Sequence, residues 1–87
     1  MPTYQHYHIN KAGTYIIKTD NGFLHSIVVN TTAAGAITVY DNTSAAEPII
    51  AVLKSNIGEN TYTFDVNFIT GLTIVTAAAS DITVSYS

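Results

Sequence analysis

Eight short runs of β-branched and aromatic residues, interrupted at about eleven-residue intervals by Gly, Asn, Asp and Ala, constrain this chain more than any other feature. They fall at 4–9, 13–19, 23–31, 36–41, 48–54, 60–68, 71–76 and 81–86. Ile, Val and Thr supply 31 of the 87 residues, and six Tyr and three Phe add side chains that suit a pleated, half-buried surface. The Ala-rich stretches 33–36 and 77–79 favour helix by propensity, but three or four residues cannot cover the cost of helix nucleation, so they read as loops. The expected fold is all-β, with about eight short antiparallel strands in a two-sheet, jelly-roll-like sandwich or a small barrel.

The clearest strand is Thr61 to Phe68, where Tyr62, Phe64, Val66 and Phe68 alternate with polar neighbours and predict one buried face. Ile37 and Val39 repeat the pattern, as do Ile82, Val84 and Tyr86. Phe23 to Val29 is apolar on both faces apart from His25 and Ser26, which predicts a central or covered strand. Asp20-Asn21-Gly22 between 13–19 and 23–30 predicts a hairpin, because Asn and Gly tolerate the positive φ of a type I′ turn. Segment 47–54 could open a helix at Pro48, yet its shortness and three β-branched residues favour a strand. Asp41-Asn42-Thr43-Ser44 reads as an Asx-type turn.

Laying residues 13–39 over 58–84 gives nine identities in 27 positions without a gap, a weak repeat that fits either duplication or shared low complexity. The chain accordingly divides into an N-terminal arm or edge strand, 1–12, and a single β domain, 13–87.

A domain of this length buries only about 63 % of the surface its unfolded chain exposes, so its core is thin. It has no cysteine for a disulfide or a thiolate metal site. With 47 % hydrophobic residues, 10 % charged residues and a mean hydropathy of +0.25, a lone copy exposes apolar surface and open strand edges. Burial against other copies or a partner removes both hazards. Tyr4, Tyr7, Tyr15 and Tyr40, with His6 and His8 of the N-terminal segment, are the expected interface residues. A net charge of −3 with no Arg, and with Lys11, Lys18 and Lys54 dispersed, argues against a nucleic-acid partner. No apolar run approaches the ~20 residues of a membrane helix, and the N-terminus has no secretory pattern, so a cytoplasmic site of synthesis is expected.

Chemistry finds little purchase. His6 and His8 share one face of a strand, the spacing of two ligands to Zn²⁺ or Ni²⁺, but a third ligand is required and His25 is not placed nearby by sequence. His25 and Ser26 are neighbours in a strand and are expected on opposite faces, which spoils a nucleophile pair. Asp20, Asp41, Glu47, Glu59, Asp65 and Asp81 fall mostly in expected turns or on polar faces rather than as a carboxylate pair in a cleft. The glycines form no phosphate loop. No catalytic residue, metal or cofactor is expected. A carbohydrate-binding surface of Asn, Thr and Tyr is an alternative that the absence of Trp weakens.

The stretches Asn21 to Asn30, Ile37 to Thr43, Thr70 to Thr76 and Asp81 to Tyr86, within a span of about 13–86, resemble small virion proteins of tailed bacteriophages. The pattern is similar to the capsid decoration or cement class. That resemblance implies a non-enzymatic, β-rich protein made in the bacterial cytoplasm. It would bind the outside of a major-capsid-protein shell as a homo-oligomer, commonly a trimer, and stabilise it. A fibre or head-tail connector component is the alternative within the virion. The N-terminal residues lie outside the resembling span, and Pro2 to Asn10 is expected to reach the shell or a neighbouring subunit.

Overall fold

The computed structural model describes residues 3–87; Met1 and Pro2, the first positions of the expected N-terminal arm, lie outside the described residues. Eight strands follow in order: β1 (Gln5–Ile9), β2 (Gly13–Lys18), β3 (Gly22–Thr31), β4 (Ile37–Tyr40), β5 (Ile49–Leu53), β6 (Thr61–Phe68), β7 (Leu72–Thr76) and β8 (Asp81–Tyr86). Each expected run contains one strand, with bounds moved by a single residue at most. Segment 47–54 is a strand, and both Ala-rich stretches are loops.

The pairing is nested: β4 pairs β5, β3 pairs β6, β2 pairs β7 and β1 pairs β8, all antiparallel. The chain is thus one long hairpin bent at the β4–β5 connection and rolled up. Two further ladders, β3–β8 and β4–β7, complete a first sheet of order β1-β8-β3-β6 and a second of order β2-β7-β4-β5. No ladder joins the sheets, so the fold is an open two-sheet sandwich with jelly-roll connections, not a closed barrel.

Cα atoms fill an envelope of 30 × 30 × 16 Å, thick enough for one layer of side chains between sheets about 10 Å apart. Leu24, Ile27, Val39, Leu72, Ile74, Ile82 and Val84 are fully enclosed there, with Phe68 and Ile9 nearly so. β3 is central in its sheet, which explains its apolar sequence on both faces. The offset-45 repeat lays β4 inside β8, one residue short at each end, but slides β2 and β3 against β6 and β7, so strand boundaries follow it in part.

Three local expectations are corrected. β2 and β3 are not a hairpin: they lie in different sheets, and neither Asn21 nor Gly22 has a positive φ. Gly22 is required by crowding, since a Cβ there would run into the Ser87 carbonyl oxygen and meet the Phe68 ring at 2.6 Å. In β6 the alternation breaks at Asp65, whose φ of 49° inserts an extra residue opposite a register shift in β3 between Leu24 and Ser26. Tyr62, Phe64 and Phe68 still pack on the core, whereas Val66, at the sheet edge, is 36 % exposed. The Asp41 N–H donates to the Pro48 carbonyl, but its carboxylate caps no turn in its own loop and reaches across to residues 69–71.

Candidate functional site

Residues opposite one another in a ladder share a face of the sheet. Followed across the second sheet, the registers align two rows on its outer side: Ile16, Thr73, Tyr40 and Ile49, then Thr14, Val75, Thr38 and Val52. None of these eight side chains carries charge at neutral pH. Ile16 is 52 % exposed, Ile49 46 % and Val52 57 %. Thr73 is buried within its row, its hydroxyl donating to the Asn42 carbonyl at 2.7 Å. The face ends at β5, an edge strand of sequence Ile-Ile-Ala-Val-Leu with no charged residue. Natural edges are blunted by charge, proline or bulges. Here Pro48 precedes the strand and a register shift leaves out Ile50.

The outer side of the first sheet is polar by the same reading. Its rows are His6, Ser85, Ser26 and Thr63, then His8, Thr83, Val28 and Thr61. His8 Nε2 donates to Asp81 Oδ1 at 2.7 Å, and Asn30 Nδ2 donates to the same oxygen at 3.1 Å. The His8 bond foremost, then that from Asn30, holds the Asp81 carboxyl below its ordinary value. His25 Nδ1 donates to Asp65 Oδ1 at 2.6 Å, and the Tyr4 ring stacks on His25 with centroids 4.3 Å apart. The register shift also changes the expectation for His25 and Ser26. Ser26 lies opposite Ser85 on the outer side while Ile27 returns to the core opposite Val84, so the two neighbours no longer alternate across the sheet.

The expected interface residues are divided among three places. Tyr40 lies in the uncharged rows of the second sheet. Tyr4, His6 and His8 lie on the polar side of the first sheet, and β1 is an edge strand whose Ile9 belongs to the core. Tyr7 and Tyr15 turn to the core side, where their rings meet edge-on with centroids 6.3 Å apart and the Tyr15 hydroxyl donates to the Lys11 carbonyl. Ile16, Ile49 and Val52 were absent from the sequence expectation, because only cross-strand register brings them together. His6 and His8 share a face as their spacing predicts, with His8 engaged by Asp81. Among the described residues no three His, Cys, Asp or Glu side chains gather as a metal site, and no pocket is present.

The sandwich end built by the β2–β3, β4–β5 and β6–β7 connections is braced by Asp41. Its carboxylate accepts the N–H groups of Ile69 at 3.0 Å, Thr70 at 2.9 Å and Gly71 at 3.4 Å. Partial desolvation pushes this carboxyl up, but the bonds from Thr70, Ile69 and Gly71 outweigh it and leave the group below its ordinary value of 3.8.

No family model matches the chain, and no curated protein matches it. Among solved structures the chain is similar to the Drosophila NLP core, whose crystal structure provides insight into pentamer formation and histone binding. The TM-score is 0.59 at 12 % identity, over 99 % of this chain and 97 % of that one. At that identity the likeness is one of fold.

Proposed function

We propose that this chain is a non-enzymatic structural protein of a tailed-bacteriophage virion. In this reading it belongs to the capsid decoration or cement class, made in the bacterial cytoplasm and bound to the outside of the shell as an oligomer. The observation that carries the reading is the uncharged outer face of the second sheet beside the uncharged edge strand β5. Self-association there hides Ile16, Ile49 and Val52 and covers an edge that would otherwise invite uncontrolled pairing.

The resemblance in strand and turn sequence supports the virion assignment and a trimer. The fold likeness to a pentamer-forming core supports oligomerisation in general. Bound copies favour the assembled shell by RT ln(1 + [L]/Kd), about 2.7 kcal/mol at a hundredfold excess over Kd, and an oligomer adds multivalent engagement.

Native mass measurement at micromolar concentration and electron microscopy of virions test the reading. A trimer or other closed oligomer, present in many copies over the shell, is expected. A monomer that ignores shells overturns it. Density at a single vertex indicates a connector or fibre component instead, and clear affinity on a glycan array indicates a carbohydrate-binding module.

A further inference from the structure

Exposed apolar side chains are distributed unevenly between the two ends of the sandwich. Tyr4, Ile16, Ile49, Val66 and Ile69 all lie toward the end where the β2–β3, β4–β5 and β6–β7 connections meet. Ile16 and Ile49 form the near margin of the uncharged sheet face, Ile69 stands in the β6–β7 connection, and Val66 lies opposite Leu24 at the open edge of β6. Ile69, 79 % exposed, is the most exposed large hydrophobic side chain among the described residues. It stands on a braced turn, because Asp41 binds three consecutive N–H groups and Gly71 is wedged against the Lys18 carbonyl. An apolar tip fixed in advance loses little conformational entropy when it docks.

Charge follows the same division. Lys18, Asp20, Asp41 and Glu47 sit at this end and sum to −2, whereas Lys11, Lys54, Glu59 and Asp81 at the opposite end sum to zero. Asp65, in β6 between the ends, completes the total of −3. A partner that receives Ile69 therefore also meets carboxylates, and complementary potential favours basic groups around the socket.

We infer that this end is the shell-facing end, with Ile69 entering an apolar socket bordered by Lys or Arg on a protein surface. The inference rests on the decoration reading and divides its work between two surfaces, the sheet face for self-association and the loop end for docking. Cosedimentation with purified phage shells stripped of their surface proteins, at roughly 50 and 300 mM salt, tests it. The wild-type chain and Lys54→Ser, altered at the far end, should bind alike. Ile69→Ser and Ile69→Ala should each bind at least tenfold more weakly, with oligomer mass and melting temperature unchanged. Glu47→Lys should bind several-fold more weakly at low salt, with a smaller deficit at high salt. Wild-type affinity in both Ile69 variants overturns the assignment of this end and leaves the decoration reading standing. Failure of the wild-type chain to bind overturns both.

Discussion

Replacing Asp41 probes the connection between β6 and β7 directly. Its carboxylate accepts from Ile69, Thr70 and Gly71, two of these bonds at good length and the third long at 3.4 Å. A hydrogen bond to a charged acceptor contributes about 1.5–3 kcal/mol, but donors that regain water on mutation reduce the loss toward that of a helix N-cap, about 0.5–2 kcal/mol. Two effective bonds at a half-buried site give about 2 kcal/mol for Asp41→Ala. Asp41→Asn, which keeps one acceptor oxygen without charge, should lose about half as much. For a domain of this size these losses lower the melting temperature by about 8–16 °C and 4–8 °C. The folded-state carboxyl titrates below 3.8, so ionised Asp41 stabilises the fold above that pH and the contribution is lost as pH falls through the folded-state value. Melts followed by circular dichroism from pH 7 to pH 2 should therefore show the gap between wild type and Asp41→Asn closing on acidification, while background acid effects cancel. Equal melting temperatures at pH 7, or a gap that widens in acid, would refute the reasoning.

Other substitutions test other parts of the fold. Gly35→Ala places a Cβ 2.6 Å from the Ala78 backbone nitrogen and should cost about 1–3 kcal/mol in denaturant unfolding, whereas Gly58→Ala, whose Cβ would meet only the Tyr62 hydroxyl at 3.4 Å, should be within about 0.5 kcal/mol of wild type. Asn56, at φ 57°, should tolerate Gly without loss but lose about 1 kcal/mol as Ala; equal stability of the two variants would contradict the left-handed backbone. His8→Ala should raise the Asp81 carboxyl toward 3.8 in an NMR titration, and an unmoved titration would show that His8 does not set it. Val52→Lys should shift the native mass toward monomer with little change in melting temperature, since the side chain is 57 % exposed; an unchanged mass would remove the second sheet's face from the interface.

The strands were legible because their signals are local. Alternation along Thr61–Phe68 and the apolar run Phe23–Val29 arise within single strands, and the structure makes both of them strands, β3 internal to its sheet and β6 interrupted only at Asp65. Asp20-Asn21-Gly22 misled because local turn chemistry cannot tell a hairpin from a crossing between sheets; a close approach to Ser87, at the other end of the sequence, is what calls for Gly22. Asp41 was misread for the same reason, its partners lying 28 to 30 positions away. Of the candidate face only Tyr40 was legible. Ile16, Tyr40 and Ile49 become neighbours only once β2, β7, β4 and β5 are in register, and tyrosine content alone drew attention to Tyr7 and Tyr15, whose rings help to close the core.

Nested pairing also dictates when the molecule can come into being. β4 and β5 can zip as soon as both have been synthesised, but Gln5 of β1 must wait for Tyr86, 81 positions later. Each outward step closes over a segment already joined, so the search becomes shorter once the inner pair has formed. Throughout translation the earliest strand therefore remains unpaired, and maturation proceeds from the middle of the chain toward its ends.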